Sequence, residues 1–278
     1  MGISDSDRRD VARRAESAFA DIVADIEQAN GVALPHLKGI RYTLDMPADR
    51  DEAAQLPFFY KFPSLRARPY WSADDFCAPV RAVLDSFVAE FPRLQDEFRC
   101  ADAPDRYVDG HTGYTGALKT WRHRIVFDHD MNQTEDGRQS FPLLSSLVRP
   151  LMDEKLARKC FFAVMRAGSR LANHCGGTNL YLRMHLGVVI PDGDLGLRVG
   201  GAVRRWREGE IILFDDSFGH EAWNLSDRDR HVLLLRILHP DLTDAEREWL
   251  PSVMRTFAAT DAAKAASRAV REMGYLGA

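Results

Sequence analysis

Thr178-Asn179-Leu180-Tyr181-Leu182-Arg183-Met184-His185-Leu186-Gly187-Val188-Val189-Ile190 is the stretch that decides the fold. Side chains alternate between the faces of a strand, so Leu180, Leu182, Met184 and Leu186 share one face and Tyr181, Arg183, His185 and Gly187 the other. The apolar run from Leu186 to Ile190 argues for a buried strand whose Arg183 and His185 project into a cavity; a solvated outer face is the plainer alternative. A buried arginine requires an anion. Working outward, strand-like runs separated by turn signals occupy 159–166, 178–190, 195–199, 202–206, 209–214, 220–225 and 231–238, the spacing of an all-β sandwich or barrel. They predict a jelly-roll-like, double-stranded β-helix core over about 159–239.

The rest of the chain predicts helices that buttress this core, giving a fold that is mainly β with flanking helices. Val11, Ala15, Phe19, Ile22, Val23 and Ile26 recur at helical spacing over 6–29, and that helix ends near Gly31. Ser72 is placed to cap a second helix running to about Phe91. Residues 99–119 read as a loop, Trp121 to Phe127 as a strand, 129–140 as an exposed loop and 141–156 as a helix. Thr243 with Glu246 three residues on forms a capping box that opens a helix over 244–258, followed by another over 261–273. The expected organisation is an N-terminal helical extension at 1–50, a main domain at 51–245 and a C-terminal helical segment at 246–278.

Composition excludes several classes of function. Hydrophobic residues at 45% and charged residues at 28% describe an ordinary globular chain of 278 residues, not a disordered one. A net charge of -4 argues against a nucleic-acid partner bound through a basic surface. The four cysteines, Cys77, Cys100, Cys160 and Cys175, lack C-x-x-C spacing, which fits a reducing, cytoplasmic setting. The first residues, Met1 to Arg14, carry Asp and Arg and no apolar signal core, and no later run is long enough to span a membrane, so neither export nor a membrane partner is expected.

Chemistry concentrates in His174 and His220. In the common non-haem iron triad the motif is H-x-D/E followed by a distant histidine. Here it is His174-Cys175-Gly176, and glycine cannot ligate. The pair is therefore either no metal site or one whose third position is filled by water or an anion. His220 follows the apolar run Ile211 to Phe214 and the acids Asp215 and Asp216, at a strand end where barrels place ligands. Arg230 stands just before the apolar strand Val232-Leu233-Leu234-Leu235, where its planar fork can take a carboxylate through two hydrogen bonds.

The run from His174 to Pro240, with R-M-H-L-G at 183–187, E-G-E-I-I-L-F-D-D-S-F-G-H-E-A-W at 208–223 and L-H-P-D-L at 238–242, resembles the aspartyl/asparaginyl β-hydroxylase family of 2-oxoglutarate oxygenases. Upstream, F-Y-K-F-P at 59–63 and R-P-Y-W at 68–71 extend the likeness over roughly 55–245. The resemblance implies that His174 and His220 ligate Fe(II) and that Gly176 stands at the vacant carboxylate position. It further implies that Asp216 holds a water there, and that Arg230, Arg183, His185 and Met165 form the site for the co-substrate 2-oxoglutarate. The implied reaction uses Fe(II), 2-oxoglutarate and O2 to hydroxylate one C–H bond, with 2-oxoglutarate decarboxylating to succinate.

The likeness also carries departures. Ala163 stands where the family tends to have Ser, and Phe161 and Tyr181 stand where basic residues that grip the substrate are expected. The expected partner is a small molecule or peptide bearing an aspartate-like unit, free or carrier-bound. Lys119, Arg122, Arg124 and Arg166 are candidates for its carboxylate, with a solvated surface charge as the alternative for each. Two other functions stay open: a halogenase that admits chloride at the vacant position, which Asp216 disfavours, and a non-catalytic cupin-like module in which the two histidines hold zinc or nothing.

Overall fold

The computed structural model describes residues 4–44, 54–109 and 121–273. Thirteen strands and seven helices follow in chain order among them. Helix α1 (Asp5–Asn30) is capped by the Ser4 side chain, which accepts from the Asp7 amide, and stops at Gly31, whose φ of 65° suits glycine. The strand pair β1 (Arg41–Tyr42) and β2 (Tyr60–Lys61) comes next, then β3 (Tyr70–Trp71). Helices α2 (Ala78–Ala89) and α3 (Phe91–Ala101) lead to strands β4 (Val108–Asp109) and β5 (Trp121–Phe127). After α4 (Glu135–Ser140) and α5 (Pro142–Asp153) come the core strands β6 (Ala157–Met165), β7 (Ser169–His174) and β8 (Tyr181–Val189). They continue through β9 (Leu195–Val199), β10 (Ala202–Arg204), β11 (Ile211–Phe214), β12 (His220–Asn224) and β13 (Arg230–Leu238). Helices α6 (Asp244–Ala259) and α7 (Asp261–Glu272) close the described chain.

The core is a jelly roll. A seven-stranded sheet, β3-β11-β8-β13-β6-β5-β4, faces a four-stranded sheet, β10-β9-β12-β7. Alternation along β13 shows why the fold needs its continuous apolar runs. Leu233, Leu235 and Ile237 point outward into a core shared with α2, α3 and α5, while Val232 and Leu234 point between the sheets. A strand covered on both faces is apolar at almost every position. The same rule divides β8 as its sequence predicts: Leu182, Met184 and Leu186 join the outer core, and Arg183 and His185 line the space between the sheets. A third apolar cluster packs α1 against α6 and α7, through Phe19, Phe257 and Val270 among others.

Several expectations are corrected. The edge strand β7 went unread because Arg170, Ala172 and Asn173 are exposed and leave no apolar alternation. The second predicted helix is a short 3-10 turn capped by Ser72, followed by α2, and α3 runs ten residues beyond its expected end at Phe91. The loop expected over 129–140 contains α4, capped by Thr134. Part of the loop expected over 99–119 lies outside the described residues. The capping box of Thr243 and Glu246 is present.

Candidate active site

Two adjacent strands of the smaller sheet create the central pair. His174 at the end of β7 lies directly opposite His220 at the start of β12, and their ring centroids are 4.1 Å apart. Each ring is set by the carbonyl two residues earlier: His174 Nδ1 meets Ala172 O at 2.8 Å and His220 Nδ1 meets Phe218 O at 3.0 Å. A ring that donates Nδ1–H to a carbonyl carries its lone pair on Nε2, the tautomer a metal requires. Burial keeps both rings neutral. It lowers the pKa of His174, and burial with the neighbouring His174 pushes His220 down to about 3.

Gly176 explains the missing carboxylate in steric terms. A Cβ on Gly176 would lie 2.5 Å from Cγ and Oδ2 of Asp216 and 2.7 Å from its Oδ1. The space a ligand side chain at 176 would need is taken by the carboxylate of another residue. Asp216, buried in the turn after β11, accepts from Arg183 Nε at 2.6 Å. Burial raises its pKa, but Arg183, His220 and Arg236 together outweigh burial and leave it below the ordinary carboxylate value. The neighbouring Asp215 goes the other way, up to about 7, because burial outweighs its bonds from Ser217 and Gln55. The upstream aromatic segment braces this turn: the Phe58 amide donates to Gly176 O, the Leu56 amide to Ser217 O, and the Asn179 side chain bonds both backbone groups of Phe62.

A second group of residues sits beyond the histidines. Arg230, with 3% of its surface exposed, places its guanidinium 4.3 Å from the Trp206 ring centroid. Its Nε and Nη1 are buried and have no hydrogen-bond partner among the described residues, and burial lowers its pKa to about 9. Trp206 Nε1 donates to His185 Nδ1 at 3.3 Å, which leaves the proton of the neutral His185 ring on Nε2. That Nε2 is likewise buried and unbonded among the described residues. Met165 is the cross-strand partner of Arg230. Buried cationic and N–H donors without protein acceptors are suited to an anion.

His174, His220, Asp216, Arg183, His185, Arg230 and Met165 all line one cavity of about 160 Å³ between the sheets. The expected substrate cations do not. Arg122 is on the opposite face of β5, bonded to Asp109 at 3.1 Å and to the carbonyls of Pro104 and Tyr107. Arg124 is buried against Asp136, and Arg166 is exposed at the turn after β6. Lys119 lies outside the described residues. The cavity instead contains Lys159, Arg236 and Trp206, none of which was singled out from the sequence. Arg236 left a signal there, as the one charge inside the apolar run Val232 to Leu238.

A family model described as Aspartyl/Asparaginyl beta-hydroxylase matches residues 87–240. The Aspartyl/asparaginyl beta-hydroxylase of Mus musculus is 39% identical over 92 residues, covering 33% of this chain and 12% of that protein. Aspartate beta-hydroxylase domain-containing protein 2 of Mus musculus is 36% identical over 202 residues, covering 70% of this chain and 58% of that protein. The Ornithine lipid ester-linked acyl 2-hydroxylase of Rhizobium tropici is 40% identical over 81 residues, 28% of this chain and 29% of that protein. The chain thus matches less than two thirds of the length of each of these relatives.

Proposed function

Because the chain belongs to the aspartyl/asparaginyl β-hydroxylase family, we propose that its cavity is the active site of an Fe(II)- and 2-oxoglutarate-dependent dioxygenase. Its reaction hydroxylates the β-carbon of an aspartyl, asparaginyl or related amino-acid unit, free, carrier-bound or in a peptide, with succinate and CO2 as co-products. The observation that carries this reading is the pairing, in one cavity, of two neutral histidines and a buried arginine whose donors lack acceptors.

The donor set fits the groups it would hold. His174 and His220 offer two Nε2 lone pairs from adjacent strands, suited to Fe(II), and the other positions on the metal remain for co-substrate, oxygen and water. Bound there, Fe(II) with 2-oxoglutarate supplies oxygen activation and the two electrons that accompany it. The protein's own work is placement. Arg230 and the Nε2–H of His185 give a carboxylate three buried donors, and Trp206 fixes both by lying under one and donating to the other. Asp216, held by Arg183, sets an acceptor beside the vacated position, which favours water over a halide there and hydroxylation over halogenation. Phe161, Leu197, Phe214 and Leu234 exclude bulk water around these groups, which strengthens every charge interaction inside.

Anaerobic titration with Fe(II) and then 2-oxoglutarate tests this reading through the visible charge-transfer band of the chelated complex. The band is expected in the wild-type protein and lost in His174→Ala and His220→Ala. Folded wild-type protein without the band would overturn the assignment in favour of a binding module.

A further inference from the structure

The cavity carries a second set of cations that 2-oxoglutarate at Arg230 leaves unused. On adjacent strands β8, β13 and β6, Arg183, Arg236 and Arg158 are direct cross-strand neighbours. Like charges placed opposite each other destabilise a sheet. Two of the three have compensation: Arg183 is bonded to Asp216, and Arg158 bonds the Tyr181 hydroxyl at 3.1 Å and the His129 carbonyl at 3.0 Å, with Asp130 at 4.0 Å. Arg236 makes no ion pair within 4.0 Å among the described residues, Asp216 acting on it only at longer range, and its Nε is buried without a bond. Lys159 joins this row as the extra residue of a β-bulge. The register of β6 against β13 skips it, passing from Cys160–Leu235 to Arg158–Arg236, and its φ of 48° is left-handed. Bulges beside active sites re-aim a side chain, and here the re-aimed group is a cation lining the cavity. Lys159 also lacks a carboxylate partner among the described residues, and burial together with Arg183 and Arg236 lowers its pKa to about 8.

Both cations rest on aromatic rings. At Phe161 and Tyr181, where the family resemblance led us to expect basic residues, the rings are instead platforms: Lys159 Nζ lies 4.8 Å from the Phe161 centroid and the Arg236 guanidinium 4.8 Å from the Tyr181 centroid. The location of the two cations relative to the metal pair follows from the contacts. Arg230, Trp206, His185, Phe214, His220 and His174 form one continuous chain of side-chain contacts. Arg236 stands six positions along β13 from Arg230, roughly 20 Å at the backbone, beside the Arg183 that bonds Asp216. The histidine pair thus connects to Arg230 through Phe214, His185 and Trp206, and to Arg236 through Asp216 and Arg183, whose charges act on both rings.

We propose that Lys159 and Arg236 form the anion site for the substrate, taking a carboxylate or phosphate at the end of the cavity opposite Arg230 so that a neighbouring C–H bond is presented between the two ends. This rests on the reading of Arg230 as the 2-oxoglutarate anchor. Phe161 and Trp121 lie beside the site, so the substrate bears an apolar segment next to its anion.

The test uses calorimetric titration of Fe(II)-loaded protein, anaerobic and saturated with 2-oxoglutarate, with N-acetyl-L-aspartate and with sn-glycerol 3-phosphate as probes. Wild-type protein is expected to bind at least one, and the preferred probe separates a carboxylate from a phosphate source. Lys159→Met and Arg236→Met are each expected to weaken that probe by at least about tenfold, as loss of one partner of a buried charge pair does. The affinity for 2-oxoglutarate itself is expected to stay within about threefold, because its anchor is at the other end. Equal probe affinity in wild-type and variant proteins, or no binding of either probe by wild-type protein that binds 2-oxoglutarate, overturns the proposal. Failure of 2-oxoglutarate to bind, with Arg230→Gln indistinguishable from wild type, marks failure of the underlying reading instead. If Arg236→Met does not fold, Lys159→Met at the partly exposed end of the row decides alone.

Discussion

Replacing Gly176 by alanine tests the claim that Asp216 occupies the space of the missing ligand. The new methyl carbon would stand 2.5 Å from Asp216 Cγ and Oδ2, far inside contact distance, and the carboxylate cannot swing aside freely because Arg183 holds it at 2.6 Å. Overpacking of this kind costs about 1–3 kcal/mol, and breaking a buried ion pair outright about 3–5 kcal/mol. A loss near 3 kcal/mol is expected, which for a chain of this size lowers the melting temperature by about 6–12 °C. The opposite sign is expected once the obstacle is gone. Gly176 is not in the left-handed region, so without the clash an alanine stabilises by about 0.4–1 kcal/mol through the unfolded chain.

A double-mutant cycle read by thermal unfolding separates the two contributions. Asp216→Ala alone is destabilising because it strands Arg183, yet adding Gly176→Ala to it should cost nothing or recover a little. In an Asp216→Asn background, which keeps the shape and loses the charge, Gly176→Ala should remain costly. Were Gly176→Ala equally costly in the wild-type and Asp216→Ala backgrounds, the steric account of the vacant position would be refuted.

Two further perturbations bear on the buried charges. Arg230→Gln removes a guanidinium that lacks acceptors in the ligand-free cavity, so it should leave ligand-free stability unchanged or higher while weakening 2-oxoglutarate about a hundredfold, the equivalent of about 3 kcal/mol. Calorimetry showing less than about a fivefold loss would place the co-substrate elsewhere. For the metal-free protein, the folded-state pKa of His220 lies near 3 against an ordinary 6.5, and those of His174 and His185 are also lowered. The unfolded chain therefore takes up protons that the folded one refuses. Stability from these rings is fully present above pH 6.5 and is lost as pH falls toward 3, at about 1.4 kcal/mol per pH unit for each proton taken up. Denaturation midpoints measured between pH 6 and 4 should show a shallower slope in His220→Gln; an unchanged slope would mean that the ring is not buried in its neutral form.

What was legible in the sequence followed from periodicity and from chemistry that is rare in apolar surroundings. The double-sided burial of β8 and β13 writes itself as near-continuous Leu and Val, and Arg183, His185 and Arg230 stand out against it. Helix α1 announces itself by its apolar recurrence and its end at Gly31, and α6 by its capping box. What escaped depends on pairing across the sheet. Strand β7 carries His174 on an edge whose outer residues are polar, so no alternation marks it. Lys159 reaches the cavity through a bulge that appears when β6 is set in register with β13. Trp206 reads as one more core aromatic until its indole nitrogen is seen on His185. Arg122, a candidate by charge, fails by parity: it is one residue from Trp121, which lines the cavity, and so lies on the other face of β5.

The charge distribution of the cavity ties these features together. Its one buried carboxylate, Asp216, is paired with Arg183 and acts on Arg236 only at longer range, so Arg230, Arg236 and Lys159 lack ion pairs of their own among the described residues. A site in which an aspartate at position 176 ligated the metal would add a negative charge at the centre, drawing the cations at both ends inward. Gly176 withholds that charge, and Asp216, engaged by Arg183, offers no unpaired one in its place. Two anions arriving from opposite ends are then each attracted by their own cations and meet no fixed negative charge between them except one already paired. In a low-dielectric cavity that difference is worth several kcal/mol. Under the proposed reading, the glycine at 176 removes one negative charge from between the two anion sites, and Arg183 pairs the one that Asp216 supplies.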